Sequence, residues 1–129
     1  MSLAKKTYET ATGDSLFAAN GVKSIPADGY VLASTVTGKL KRGLPLKQGA
    51  TASELLPVSA AADQVVGILA DDTDADLSKG IVAYEEGEFN RYAINEALEA
   101  SGISLTYSDL EVKARMKGIY FKDVVKTVA

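Results

Sequence analysis

The stretch QVVGILADDTDADLSKGIVAYEEGEFN, residues 64–90, predicts two paired strands and decides the fold. Two runs of β-branched and bulky side chains flank residues 71–80, which are rich in acidic and turn-forming types. Gly67 lies inside the first run and indicates a β-bulge or the close approach of another backbone, whereas Gly87 predicts a second tight turn before Phe89. The apolar residues predicted to supply the core are Val66, Ile68, Leu69, Ile81, Val82, Tyr84 and Phe89.

Length and composition exclude several classes of function. A chain of 129 residues fits a single domain, since a chain of this size buries on the order of 65–70% of its extended surface. The sequence contains neither Cys nor His, which excludes disulfides and thiolate metal sites and removes the commonest catalytic base. We therefore predict that the protein is not an enzyme and uses no cofactor.

Charge and hydropathy bear on partners and location. A formal charge of −3 and a pI near 4.9 argue against nucleic acid as a partner. No apolar run approaches the ~20 residues that span a bilayer, so we predict no membrane partner. Residues 1–10 lack the apolar segment of a signal peptide, and we expect the protein to remain in the cytoplasm where it is made.

The first twenty residues predict a flexible N-terminal arm, followed by one globular β-rich domain over residues 21–129. Most of residues 1–20 are small or polar, so this segment buries little by itself. Two interpretations remain open: a loose terminus, or an arm that adds to a partner as an extended strand. The apolar anchors available to it are Leu3, Tyr8, Leu16 and Phe17.

The segment that follows the arm predicts short strands and turns. We predict a turn at residues 26–29, a strand from Tyr30 to about Val36, and a second turn at Gly38. Pro45 limits its neighbours to an edge strand or a connection, because proline cannot donate a ladder hydrogen bond. Residues 50–63 predict a loop, since Pro57 allows only a short helical turn there.

The basic stretch GKLKRGLPLKQGA, residues 38–50, has two interpretations. Its cations could bind phosphate, but the stretch has no aromatic platform and no Gly-rich loop leading into a helix. Solvated turn residues on a short β ribbon explain the pattern more simply. The cations are Lys39, Lys41, Arg42 and Lys47.

Two helices and a final strand are predicted after residue 90. Asn90 is a good N-cap for the segment RYAINEALEASG, and Gly102 lies where a C-terminal cap belongs. A second helix is predicted over residues 109–117, opened by a capping box of Ser108 with Glu111 and closed by Gly118. Its predicted apolar face is Leu110, Ala114 and Met116.

The last segment predicts a strand that is buried or paired, running through residues 119–121 and then 124–125. With the elements before it, this strand completes the predicted fold class. We predict an α+β domain that is mainly β, with one or two short helices.

The carboxylates at the turn raise the question of calcium. Counted from Asp72 they reproduce the odd-position acids of an EF-hand loop, but Leu77 stands where a sharp turn needs Gly and Ala83 where a bidentate Glu is required. Counted from Asp74 the loop recovers Glu85 but places Lys79 at the Gly position. A solvated hairpin loop is the simpler interpretation, and ion binding by residues 71–76 stays open.

Two further residue patterns could indicate a catalytic site. Glu85, Glu86 and Glu88 could be compared with a glycosidase acid pair, but the chain has no Trp to serve as a sugar platform. Serines cannot form a Ser-His nucleophile, because the chain has no His. Neither pattern changes the prediction that the protein is not an enzyme.

The sequence VVGILADDTDAD, followed by IVAYEEGEFNRYAI, resembles the bacteriophage head decoration proteins of the lambda D type. The likeness departs from the family over residues 95–117, which puts detailed trimer contacts in doubt, and it is weaker over residues 39–50. The matched residues are Val66, Gly67, Ile68, Leu69, Ala70, Tyr84, Gly87 and Phe89.

The resemblance implies a structural protein of the virion, encoded by a phage or prophage, that binds the outer surface of the expanded head. It implies a trimer that cements neighbouring capsomers against the pressure of the packaged DNA, with the major capsid protein and copies of itself as partners. It also favours the arm as the capsid-binding segment, through Lys5, Lys6, Thr7 and Tyr8. The alternative hypothesis is a small-ligand or carbohydrate-binding β module that uses the carboxylates of the hairpin loop.

Overall fold

The computed structural model describes residues 15–18 and 25–123, which build a five-stranded β-barrel and two helices. The predicted fold class, α+β and mainly β, is confirmed. The strands are β1 (Ile25–Leu32), β2 (Lys39–Leu40), β3 (Pro45–Gln48), β4 (Glu54–Pro57), β5 (Gly67–Leu69), β6 (Thr73–Asp74), β7 (Gly80–Asn90) and β8 (Ile119–Lys122). The helices are α1 (Arg91–Ala100) and α2 (Tyr107–Arg115).

The barrel closes through the longest strand. Its strand order is β1-β4-β3-β5-β7, and β1 pairs again with β7 to complete the circle. The β1–β4 pair is parallel and the other barrel pairs are antiparallel. Strand β8 extends the sheet outside the barrel by pairing in parallel with the second half of β7, and β2 and β6 form a separate two-stranded ribbon. Strand β7 therefore pairs with three strands, β1, β5 and β8.

The hairpin predicted from residues 64–90 is confirmed. Strands β5 and β7 pair antiparallel, with Ile68 opposite Tyr84 and Leu69 opposite Ala83. A Cβ on Gly67 would lie 3.3 Å from the Ala83 Cβ and 3.5 Å from the Tyr84 carbonyl oxygen, so the close approach predicted there is also confirmed.

The tight turn predicted at Gly87 is wrong. Gly87 lies inside β7, opposite Ile119 of β8, and the strand runs on to Asn90. Its φ of 148° is a backbone conformation that glycine reaches without strain. The residue thus permits a distortion within a continuous strand and does not reverse the chain.

The predicted core residues divide into two groups. Ile68, Leu69, Ile81 and Phe89 are buried, as predicted. Val66, Val82 and Tyr84 are only half-buried. Inward positions alternate along β7, so Ile81 and Ala83 take the inward places beside Val82 and Tyr84. The core also includes residues of the other strands, of the connections between strands and of both helices, among them Leu44, Leu46, Leu55, Ile94, Leu98, Leu110 and Ile119.

The turn predicted at residues 26–29 is replaced by a bulge within β1. Pairing with β7 continues on both sides of it, with Ala27 opposite Ala83 and Tyr30 opposite Ile81. Gly29 has a φ of 87°, which explains the turn-like sequence. The strand ends at Leu32, earlier than the predicted Val36.

Two predictions on the middle of the chain are corrected. Strand β3 is interior, between β4 and β5, although we predicted an edge strand or a connection. Pro45 is tolerated because it is the first residue of the strand, where its carbonyl accepts a hydrogen bond from the Val58 N–H at 3.2 Å. The loop predicted over residues 50–63 contains β4, which pairs with both β1 and β3.

Helix α1 has both of its predicted caps. The Asn90 side chain accepts a hydrogen bond from the Tyr92 N–H at 3.0 Å. At the other end Gly102 has a φ of 73°, and the N–H groups of Gly102 and Ile103 donate to the carbonyls of Glu99 and Leu98. This pattern is a Schellman motif, and it fixes the chain direction after α1.

Helix α2 begins two residues earlier than predicted. Its N-cap is Thr106, whose N–H donates to the Asp109 carboxylate at 2.9 Å, so the predicted box of Ser108 with Glu111 is wrong. Leu110 and Ala114 are buried as predicted, but Met116 is exposed. Neither helix among the described residues is long and apolar enough to cross a lipid bilayer.

The final strand is confirmed over residues 119–122, where Ile119 and Phe121 face the core. Residues 124–125, predicted to continue it, lie outside the described residues. The short β ribbon predicted for the basic stretch is also confirmed, since Lys39 and Leu40 of β2 pair with Asp74 and Thr73 of β6.

Candidate functional site

The described end of the N-terminal segment is fixed to the end of β7. Phe17 and Phe89 form an antiparallel β-bridge. The Asn90 N–H donates to the Leu16 carbonyl at 2.6 Å, and the Ala18 N–H donates to the Glu88 carbonyl at 3.1 Å. Leu16 and Ala18 are buried, so residues 15–18 belong to the packed body of the protein.

An aromatic cluster supports this anchor. The Phe17 ring lies 5.2 Å from the Tyr84 ring and 5.6 Å from the Phe89 ring, between centroids. The Arg42 guanidinium lies over Phe17 at 5.6 Å, and its Nε donates to the Ala70 carbonyl at 2.8 Å. Arg42, one of the cations of the possible phosphate patch, therefore has a structural role between the β2–β3 connection and the barrel.

The residues of the family motif are placed inside the barrel wall. Gly67, Ile68, Leu69, Gly87 and Phe89 are buried, while Val66 and Tyr84 are half-buried and pack against the core. They shape the β5–β7 pair and are not a contact surface. The residues predicted to contact the capsid, Lys5, Lys6, Thr7 and Tyr8, lie outside the described residues.

The carboxylates of the hairpin loop bind backbone amides. Asp72 accepts from the Arg42 N–H at 2.7 Å, and Asp76 accepts from the Gly38 N–H at 3.1 Å. Asp74 accepts from the Asp76 N–H at 3.0 Å. These bonds attach the loop to the β2–β6 ribbon, and the part of the chain that the structure describes contains no group of acidic side chains arranged to hold a metal ion.

The three glutamates of β7 are used separately. Glu85 accepts a hydrogen bond from the Tyr30 hydroxyl, which, with burial, raises the pKa of Tyr30 to about 12. Glu88 forms an ion pair with Lys122 of β8 at 3.1 Å. The exposed Glu86 side chain lies beside Gly118, in the connection between α2 and β8. They do not form the acid pair of a glycosidase.

The partly buried carboxylate of Asp63 organises the loop after β4. The Asp63 carboxylate accepts hydrogen bonds from the N–H groups of Ser59 and Ala60 at 2.8 and 2.9 Å, and Lys47 lies 3.0 Å away. Burial raises the pKa of Asp63, but the hydrogen bonds and the charge of Lys47 outweigh it and lower the pKa to about 2. Lys47 is thus committed to Asp63 and Ser59.

Two grooves border the β2–β6 ribbon, and sequence patterns gave no signal for either of them. The smaller, of about 410 Å³, is bordered by Lys39, Lys41 and Ala100. The larger, of about 730 Å³, runs between the β1 bulge and the start of β7. Both share residues 72–74 as a wall and both are open to solvent.

No protein-family model matches the sequence, and a search of curated proteins finds none that is similar to it. Any functional proposal rests on the closed barrel, the anchored residues 15–18, the two grooves and the exposed apolar side chains of α2 and β8.

Proposed function

We propose that this protein is a structural decoration protein of a phage head, which binds the outer surface of the expanded capsid and stabilises it. The observation that carries the proposal is the role of the motif residues. The segments that resemble lambda D-type proteins include β5 and β7, which pair in the barrel wall, and β7 also closes the barrel with β1 and holds residues 15–18. The resemblance thus involves the architecture of the domain.

The anchor supports the second part of the proposal, that residues 1–14 bind the capsid. Main-chain hydrogen bonds hold residues 15–18 against β7, so the segment proposed to bind the capsid is attached to the barrel at a fixed point. An extended segment attached at a fixed point can add as a strand to a neighbouring protein. Lys5, Lys6, Thr7 and Tyr8 are the proposed contacts with the major capsid protein.

The energetics favour ordering of this segment by a partner. Fixing the backbone of ~14 residues costs on the order of 14–28 kcal/mol. Leu16 and Phe17 already pack against the barrel, so Leu3 and Tyr8 remain as large apolar anchors, and each returns only about 1.5–3 kcal/mol on burial. Burial of these two side chains therefore does not offset the cost of ordering the backbone, and main-chain hydrogen bonds to a partner strand would supply the remainder.

The alternative, a small-ligand or carbohydrate-binding module, has weaker support. Such a site needs a concave apolar surface with convergent polar groups that are free to bind. The larger groove has apolar walls, but the carboxylates of Asp72 and Asp74 beside it already accept backbone hydrogen bonds, and the chain has no Trp to stack on a sugar.

Deletion of residues 2–14 tests the proposal. The truncated protein keeps the anchor at residues 15–18, so its melting temperature should be nearly unchanged, whereas its binding to expanded heads of the cognate capsid protein should be lost. Binding is measured by co-sedimentation with expanded and unexpanded heads. Phe17→Ala is the matched control, since it keeps the arm, removes a ring of the aromatic cluster and should lower the melting temperature. Equal binding by the truncated and full-length proteins would refute the arm mechanism.

A further inference from the structure

The outward face of α2 carries an apolar stripe. Leu110 and Ala114 turn inward and are buried, whereas Val112 and Met116, one helical turn apart on the opposite side, are 64% and 73% exposed. A solvent-facing helix surface normally carries polar residues at such positions. Two large apolar side chains together there form a small exposed apolar surface.

Positive charge surrounds this stripe. Lys113, Arg115 and Lys117 lie in the last turn of α2 and just after it, and none of them forms an ion pair with another described residue. Of the two acids on the same helix, Asp109 is occupied at the N-cap, and Glu111 is half-buried one turn before Arg115. The stripe with its cations, residues 112–117, is called the α2 surface below.

The larger groove has the complementary character. Ile81 and Val82 line it, and Val31 and Leu77, which are 43% and 84% exposed, stand at its rim. Its carboxylates come from Asp71, Asp72 and Asp74. The Asp71 carboxylate makes no hydrogen bond or ion pair with a described residue, which leaves it available to a partner.

The α2 surface and the groove lie at different positions along β7. The groove borders its first residues, Gly80 to Val82, whereas Gly118, just after α2, lies against Glu86 and β8 pairs with residues 87–90. With a strand rise of about 3.3 Å per residue the two are separated by on the order of 15–20 Å. A molecule cannot place its own α2 in its own groove, so the groove is open to the α2 surface of another copy.

We propose that the α2 surface of one copy docks in the groove of a second copy, with Val112 and Met116 against Val31 and Leu77 and the cations facing the carboxylates. An apolar helix face in an apolar groove is a recurrent binding mode, and opposite charges at the rim fix its orientation. Because the two surfaces differ, the contact is head-to-tail, and repetition of it closes a ring when the rotation allows. This inference rests on the proposed function, since it names the surfaces of the decoration trimer.

Cysteine cross-linking tests this contact directly, because the chain has no native Cys. Leu77→Cys and Met116→Cys are introduced together, and the concentrated protein is oxidised under mild conditions. The double variant should give covalent dimers and trimers, whereas each single variant should remain monomeric on a non-reducing gel. Both residues are exposed, so the variants should fold. Dimers from a single variant, or no intermolecular cross-links in the double variant, would overturn the proposal.

A mixing experiment gives a second readout. Leu77→Asp disables the groove and Met116→Asp disables the α2 surface, so each variant alone should sediment as a monomer. A mixture of the two retains one intact contact and should form heterodimers but no rings, by sedimentation velocity. A mixture that stays monomeric contradicts the head-to-tail contact. Head binding by the variants separates the two proposals. If the protein forms trimers on heads but the double variant does not cross-link, the proposed function holds and the proposed contact is wrong. If the double variant cross-links but the protein does not bind heads, the contact holds and the proposed function is wrong.

Discussion

Ile68 lies at the centre of the barrel wall, paired with Pro45 of β3 on one side and Tyr84 of β7 on the other, and its side chain is fully buried. We expect Ile68→Ala to lower the free energy of unfolding by roughly 2–5 kcal/mol, because the lost contacts leave a cavity. Urea denaturation measures the change. Glu96→Ala, at an exposed position of α1 outside the proposed contact, is the control and should change stability by less than about 0.5 kcal/mol. Equal effects of the two substitutions would show that the hairpin is not the core.

The low pKa of Asp63 predicts a pH dependence of stability. Its pKa in the folded protein is about 2, below the ordinary value of 3.8, so the ionised carboxylate stabilises the fold above about pH 4 and this contribution disappears as the pH falls toward 2. We expect Asp63→Asn to destabilise the protein by roughly 1–2 kcal/mol at pH 7 and to have little effect near pH 2. Thermal unfolding of both proteins between pH 2 and pH 7 measures the difference in stability between them. A difference that stays constant with pH would contradict the low pKa of Asp63.

Residue types alone predicted part of this chemistry. The absence of His and Cys and the poor EF-hand spacing of the acidic loop were readable from the sequence. The partners of Asp63, Asp72 and Asp76 were not, because backbone N–H groups donate to them and the position of a backbone amide depends on the fold. Gly87 was misread for a related reason: the same residue serves a turn or a distorted strand.

At the scale of elements, Asn90 connects strand, helix and N-terminal segment. Its Oδ1 accepts from the Tyr92 N–H and its Nδ2 donates to the Ser15 carbonyl at 2.9 Å. We expect Asn90→Ala to cost about 1 kcal/mol or more, since both bonds are lost. Asn90→Ser keeps an N-cap oxygen that can accept from the Tyr92 N–H and lacks the amide that donates to Ser15, so it should cost less, and urea denaturation compares the two. If Ser is as damaging as Ala, the cap contributes little to stability.

Elements with local signals were predictable and elements without them were not. The β5–β7 hairpin and α1 carry their own turn, periodicity and cap residues. Strand β4 is only four residues long, and its sequence ELLP favours no element by itself. Its strand form depends on pairing with the neighbouring β3 and with β1, which is more distant in the sequence. The same pairing makes β3 an interior strand despite Pro45.

At the scale of the whole molecule, closure of the barrel predicts cooperative unfolding. Each of the five barrel strands pairs with two others, so none can leave without breaking both sets of hydrogen bonds. We expect a single transition in which circular dichroism and tyrosine fluorescence coincide during urea denaturation. Separate midpoints for the two signals would mean that part of the barrel opens on its own.

The placement of residues 15 and 123 at the end of β7 has a further consequence for topology. Leu16 lies against one side of Asn90 and Lys122 against the other, so residues 15 and 123 are about two strand spacings, or ~10 Å, apart. In a shortened protein of residues 15–123, a linker of a few residues would join these two positions, and the chain would be reopened at the exposed residues 60–62. Such a circular permutant would keep every strand pairing of the barrel while its new ends emerged from the loop beyond β4.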